Sequence, residues 1–184
     1  MTAIPILKMG NPILQAIAAD INDPVSEEIR NLVEVMRESM DAAGGIGLAA
    51  PQIGESLRLV IFEVPAERLQ KEDEAAQDDV PSTILINPII TPVGDEKDWG
   101  WEGCLSVPGM RGLVPRYIRV RYSGLNIDGE PVSGEASGFH ARVIQHECDH
   151  LDGILYPERM TNLKHLVYES EIQAFMESYT APVE

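Results

Sequence analysis

The sequence predicts an α+β fold, with antiparallel strands wrapped around one central helix that carries an H-E-x-x-H motif. Three stretches carry that expectation. Residues 57–64 (LRLVIFEV) are a run of β-branched and aliphatic side chains, as in a buried strand. Over residues 117–127, apolar Ile118, Val120 and Tyr122 alternate with polar Arg119, Arg121 and Ser123, and Asp128-Gly129 signals a hairpin returning over 132–135. From Ser137 the period changes: Phe139, Val143, Ile144 and Leu151 make a stripe at helical spacing, with Ser137 as its N-cap.

The other elements follow in chain order. Asn11-Pro12 is a cap followed by proline, which starts a short helical turn. After Pro24, Ser26 caps a longer helix whose first turn holds Glu27 and Glu28, where carboxylates suit the dipole. Its buried stripe is Ile29, Leu32, Val33, Met36 and Met40, and Gly44-Gly45 ends it. The segment 45–52 (GIGLAAPQ) is small and apolar up to its final amide, with no G-K-[ST] to make it a phosphate loop. It is a tight crossover between packed elements, or backbone approaching a ligand with Gln52 as a donor. Residues 65–82 read as an acidic surface loop. Ile84-Leu85-Ile86 and Ile89-Ile90 are two strand pieces flanking Asn87-Pro88, and residues 99–107 look extended. Residues 163–175 are expected to form a last short helix.

The chain of 184 residues fits a single domain, 1–184. No apolar run approaches the roughly 20 residues that span a bilayer, so no membrane partner is expected. A net charge of −16 repels phosphate backbones and argues against direct binding of nucleic acid. Two cysteines make no disulfide framework. The first fifteen residues resemble neither a secretory signal nor an Arg-rich transit peptide. The expected location is the cytoplasm of a bacterium, or an organelle only if a transit segment has been removed.

In the stretch 145–150 (QHECDH), His146 and His150 stand four residues apart, so a helix puts both imidazoles on one face within reach of one cation. Glu147, about 100° further round, can reach a water on that cation without ligating it. Cys148 points to the other side. The competing reading is two helix histidines that share this spacing by accident.

The third ligand decides the chemistry. In H-E-x-x-H-x-x-G-x-x-H proteases it lies downstream, but after Gly153 the last place holds Tyr156, and that route fails. A metallopeptidase of the H-E-x-x-H type would then need Glu169 or Glu171, each in a stretch where a surface carboxylate is the default. Upstream, Cys104 is the candidate, against the reading of a buried inert thiol.

Three motifs in series, GIGLAAPQ (45–52), EGCLS (102–106) and QHECDH (145–150), resemble the peptide deformylase family. The neighbouring Trp101, Val107-Pro108-Gly109, Val114-Pro115-Arg116 and residues 138–142 look most like its organellar-type enzymes and their bacterial relatives. The resemblance implies one divalent metal per chain on Cys104, His146 and His150, with Fe²⁺ expected and Zn²⁺, Ni²⁺ or Co²⁺ able to satisfy the same donors. It implies removal of the N-formyl group from methionine at the start of nascent polypeptides, releasing formate. It further implies that a metal-bound hydroxide attacks the formyl carbon, with Glu147 as general base and acid and with Gln52 and the Leu105 backbone N–H stabilising the oxyanion. Ile46, Gly47 and Val143 match the methionine pocket. Arg142 stands where relatives often carry an aliphatic residue, its stem expected along the pocket and its head in water. Arg111 is expected on the peptide backbone beyond methionine, while Glu102 and Arg116 support the Cys104 strand. Phe139, His140 and His165 receive no catalytic role. Residues 168–184 hold four Glu and no Lys or Arg, so ribosome docking through this tail is not expected.

Overall fold

The computed structural model describes residues 3–66 and 80–178. Asn11 caps a 3₁₀ turn (Pro12–Gln15) by accepting from the Ile13 N–H, as its sequence predicts. Ser26 likewise accepts from Ile29 N at the start of helix α1 (Glu27–Ala42), which ends where Gly44 takes φ +66°. Ile29, Val33, Met36 and Met40 are its buried stripe, and Leu32 packs half-buried beside them. Strand β1 (Gly47–Ala49) and a 3₁₀ turn (Ala50–Ile53) follow.

Strand β2 (Leu59–Val64) is covered on both faces, which is why all of its residues but the part-buried Glu63 are apolar. Leu59 and Ile61 pack with Val33, Met36 and Met40 of α1. Val60, Phe62 and Val64 pack instead with Ala141, Val143, Ile144 and Leu151 of helix α2 (Gly138–Leu151). The motif-bearing helix is therefore central, as expected. Each fully buried side chain of this kind contributes about 2 kcal/mol.

The expected acidic loop 65–82 lies largely outside the described residues, at 67–79. Its last three residues, Val80, Pro81 and Ser82, are strand, because Val80 pairs with Val64. The two strand pieces around Asn87-Pro88 are one strand, β3 (Val80–Pro92), with a register shift between Ile86 and Ile89. Asn87 absorbs the shift at φ +51°, a region asparagine tolerates, and its amide both accepts from Ile21 N and donates to Ile21 O at 2.9 Å.

The extended stretch at 99–107 is a hairpin, β4 (Lys97–Cys104) and β5 (Val107–Tyr117), with Cys104 at the last position before the turn. Tyr117 thus closes β5, and the alternating strand is β6 (Arg119–Leu125), paired with β7 (Pro131–Ser137). One antiparallel sheet runs β1-β2-β3-β6-β7. The second joins β4 and β5 to β8 (Leu166–Tyr168).

Two further expectations are corrected. Ser137 occupies the N-cap position of α2, but its side chain makes no capping bond; the chain enters the helix through Gly138 at φ +56°, whose N–H donates to Ile118 O. The single helix expected over 163–175 is a 3₁₀ turn, then β8, then a second 3₁₀ turn, and only then a helix. The short α3 (Tyr156–Arg159) precedes this run and α4 (Ile172–Ser178) ends it. The β5 edge offers unpaired backbone at Met110–Gly112, and pairing there outweighs helix propensity.

Candidate metal centre

The helical spacing of His146 and His150 sets their rings on one face of α2, with centroids 5.0 Å apart. Cys104 meets them from the β4–β5 turn. Its Sγ and one ring nitrogen of each histidine all lie within 4.8 Å of one another, and Sγ is 3.4 Å from His150 Nε2. No other such group of three occurs among the described residues.

The donor set suits a divalent cation. Burial alone would raise the Cys104 thiol, but the His150 charge and hydrogen bonds from His146 and His150 hold it well below the ordinary range. Burial alone would lower His146, and contact with Cys104 and Glu102 instead raises it well above its usual value. A thiolate between two imidazoles is a ligand set a borderline metal satisfies, leaving a fourth position for a reactant.

Glu102 fixes the ring of His146. Its Oε2 lies 2.8 Å from His146 Nδ1, an arrangement that leaves Nε2 for a cation. Arg116 grips the same carboxylate at both oxygens, 2.8 and 2.9 Å away. Burial would raise this carboxyl; Arg116 and then His146 outweigh burial and hold it well below the usual carboxylate range. Arg116 also donates to Asp149, which Arg159 holds from the other side at 2.6 and 3.0 Å.

Glu147 is buried, and its Oε2 has no hydrogen-bond partner among the described residues. Burial pushes its carboxyl up, and the neighbouring histidine charges offset part of that rise. Its Oε1 lies against Gly47, where an added Cβ would force the carboxylate to move. Gln52 is buried too: Oε1 accepts from Ala49 N at 2.9 Å, while Nε2 faces Ser106 Oγ at 3.1 Å and the Cys104 sulfur at 3.6 Å. Leu105 follows the cysteine in the turn, its carbonyl accepting from Lys8 Nζ at 2.8 Å.

A cleft of about 660 Å³ opens onto these groups, and Ile46, Gly47, Val143, Arg111 and Arg142 all line it. The head of Arg142 does not reach water. It turns inward, donating to Glu102 Oε1 at 2.9 Å and to the carbonyls of Val114 and Asp98 at 2.8 and 3.0 Å. A buried carboxylate and two hairpin carbonyls hold it more firmly than solvent does. Glu169 is paired with Arg111, and Glu171 is exposed and bonded to Ser170. Neither belongs to the metal-ligand group. Tyr156 is buried against His146, ring centroids 6.3 Å apart. Cys148 sits in the core on the far side of the helix.

Several contributors were not assigned from the sequence. Phe139 lines the cleft. Gln145 ties the helix to β5, accepting from Tyr117 N and donating to Tyr117 O at 2.9 Å. Ser106, Gln145 and Asp149 were inside the motifs and polar, which is a signal; Lys8 had none, because its partner is 97 residues away.

The family described as polypeptide deformylase matches residues 3–166. Peptide deformylase 1 of Bordetella pertussis is 54% identical over 163 residues, 89% of this chain and 90% of that protein. Peptide deformylase 1 of Nitrosomonas europaea is 49% identical over 164 residues, 89% and 91% of the two chains. Among solved structures, a class I type b peptide deformylase from Acinetobacter baumannii with Met-Ala-Ser bound matches with a TM-score of 0.78 at 36% identity, covering 86% of this chain and 99% of that one. Peptide deformylase from Ehrlichia chaffeensis matches with a TM-score of 0.80 at 30% identity, covering 96% and 97%.

Proposed function

The chain belongs to the peptide deformylase family, and from that premise we propose how its own residues perform the family's reaction. It is a metal-dependent hydrolase that removes the N-formyl group from the N-terminal methionine of new polypeptides. Cys104, His146 and His150 hold one divalent metal, with Fe²⁺ as the ion used in the cell. When bound, the metal supplies Lewis acidity toward a water and the formyl carbonyl.

Glu147 moves the proton. Its unpartnered Oε2 takes a proton from the attacking water and returns it to the leaving amine, and burial supports both halves by raising the carboxyl toward the working pH. Gln52 Nε2 and the Leu105 N–H face the developing oxyanion. The bond from Gln52 Oε1 to Ala49 N orients that amide in advance, so little reorganisation accompanies the step. The methionine side chain lies against Ile46, Gly47 and Val143, with the stem of Arg142 at the edge, and Arg111 meets the peptide beyond methionine. Glu102 and Arg116 keep the Cys104 strand and the His146 ring in register.

Nascent formylmethionyl peptides in the bacterial cytoplasm are the partners, with no role for nucleic acid, membrane or tail-mediated ribosome docking. No helix among the described residues is long and apolar enough to cross a membrane. The observation that carries the reading is the meeting of Cys104 with the two helix histidines beside an unpartnered Glu147 oxygen. Formate release from formyl-Met-Ala under anaerobic conditions, measured with metal content, tests it. A metal-replete sample that releases no formate would return the assignment to a peptide-bond-cleaving enzyme.

A further inference from the structure

The C-terminal segment forms a wall of the substrate cleft. Strand β8 pairs with β5 so that Arg111 sits opposite Val167, and the chain then turns to bring Glu169 and Ile172 to the cleft lining. Phe175 of α4 packs edge-on against Trp101 of β4, ring centroids 5.7 Å apart, which seats the segment on the metal-bearing hairpin. Glu169 Oε1 lies 2.6 Å from both Nε and a terminal nitrogen of Arg111. The guanidinium also lies against Gly103, where a Cβ would clash with Nη1 and Cζ. Arg111 is thus fixed one residue from the Cys104 ligand with its carboxylate-binding edge already filled.

Resting on the deformylase reading, we infer that Glu169 is a specificity-determining residue that disfavours, without excluding, peptides whose own C-terminal carboxylate would reach Arg111. A guanidinium edge is the natural receptor for a carboxylate. The other cation at the mouth, Lys8, is committed to the Leu105 carbonyl. A formyl-methionyl dipeptide acid places its carboxylate just beyond the reacting end, where it meets Glu169 in place of a free arginine. A long nascent chain has only backbone amides there. The cleft therefore favours chains that continue past it over short formyl-methionyl acids.

The test compares kcat/KM for formyl-Met-Ala and formyl-Met-Ala-amide with metal-loaded enzyme. The parent is expected to prefer the amide. Glu169→Gln raises the acid-to-amide ratio roughly fivefold, the scale of a half-exposed charge pair, through KM of the acid with kcat unchanged. In an Arg111→Met background the same substitution leaves the ratio where it was. An unchanged ratio in Glu169→Gln, or an equal rise without Arg111, would overturn the assignment. Failure of the parent to hydrolyse the amide at all would instead refute the deformylase reading.

Discussion

Arg142 donates to Glu102 Oε1 at 2.9 Å, on the oxygen that Arg116 already holds at 2.8 Å. With Arg116 and His146 on Oε2, all four acceptor positions of this buried carboxylate are filled. The cleft-lining arginine is thereby also a brace, tying α2 to both strands of the hairpin that presents Cys104.

Arg142→Leu removes the brace and leaves the Val114 and Asp98 carbonyls without this donor. Loss of one member of a buried charged cluster costs about 3 kcal/mol, so urea denaturation should shift by that amount. Metal should also leave the variant faster, because the hairpin and His146 are no longer held together. Gly100→Ala should act in the same direction, since its Cβ would stand 2.6 Å from the Arg142 guanidinium carbon. If both variants match the parent in stability and metal retention, the bonds to Arg142 hold nothing.

Gly47→Ala separates proton transfer from metal binding. The added Cβ meets Glu147 Oε1 and must displace that carboxylate, and the three atoms nearest to it all belong to Glu147, none to Cys104, His146 or His150. Metal content should stay at one per chain and kcat should fall by about 10²-fold, the scale of a misplaced general base. Parental turnover in this variant would remove Glu147 from the mechanism as drawn.

Much of this site was legible in the sequence because its chemistry is carried by residue types and short spacings. His146, Glu147 and His150 announce themselves through helical geometry, and Gln52 and Cys104 through motifs in series. Strand β2 was legible because burial on two faces leaves Glu63 as its one polar position. Long-range pairing was not. Residues 166–168 lie inside the stretch 163–175 expected to be one helix, and the free edge of β5 draws them into a sheet instead. The direction of the Arg142 head was hidden for the same reason: a long side chain goes to its partners, and Glu102 lies 40 residues away.

The two cysteines should differ in reactivity. Cys104 is part-exposed and its thiol is held low, whereas Cys148 is buried and its thiol is pushed up to about 12, first by burial and then by the Glu147 charge. Iodoacetamide applied to metal-stripped, folded protein should modify Cys104 and spare Cys148, as read by peptide mass spectrometry. Reloading a divalent metal should protect Cys104. Labelling of Cys148 first, or no protection by metal, would contradict the proposed ligand set.

His140 should set part of the acid limit of stability. Its ring sits near Phe62 and Tyr122, centroids 5.9 and 6.2 Å away, and its Nε2 has no hydrogen-bond partner among the described residues. Burial lowers its pKa below the 6.5 of the unfolded chain. Between those two values the unfolded state binds more protons, so stability falls as the pH drops below about 6.5 and the loss is complete below the folded value. His140→Phe cannot titrate and keeps a ring in the cluster. The change in urea midpoint between about pH 7.5 and about pH 5.5 should therefore be smaller in the variant than in the parent. An identical acid-side loss in both proteins would show that the burial of this imidazole plays no part.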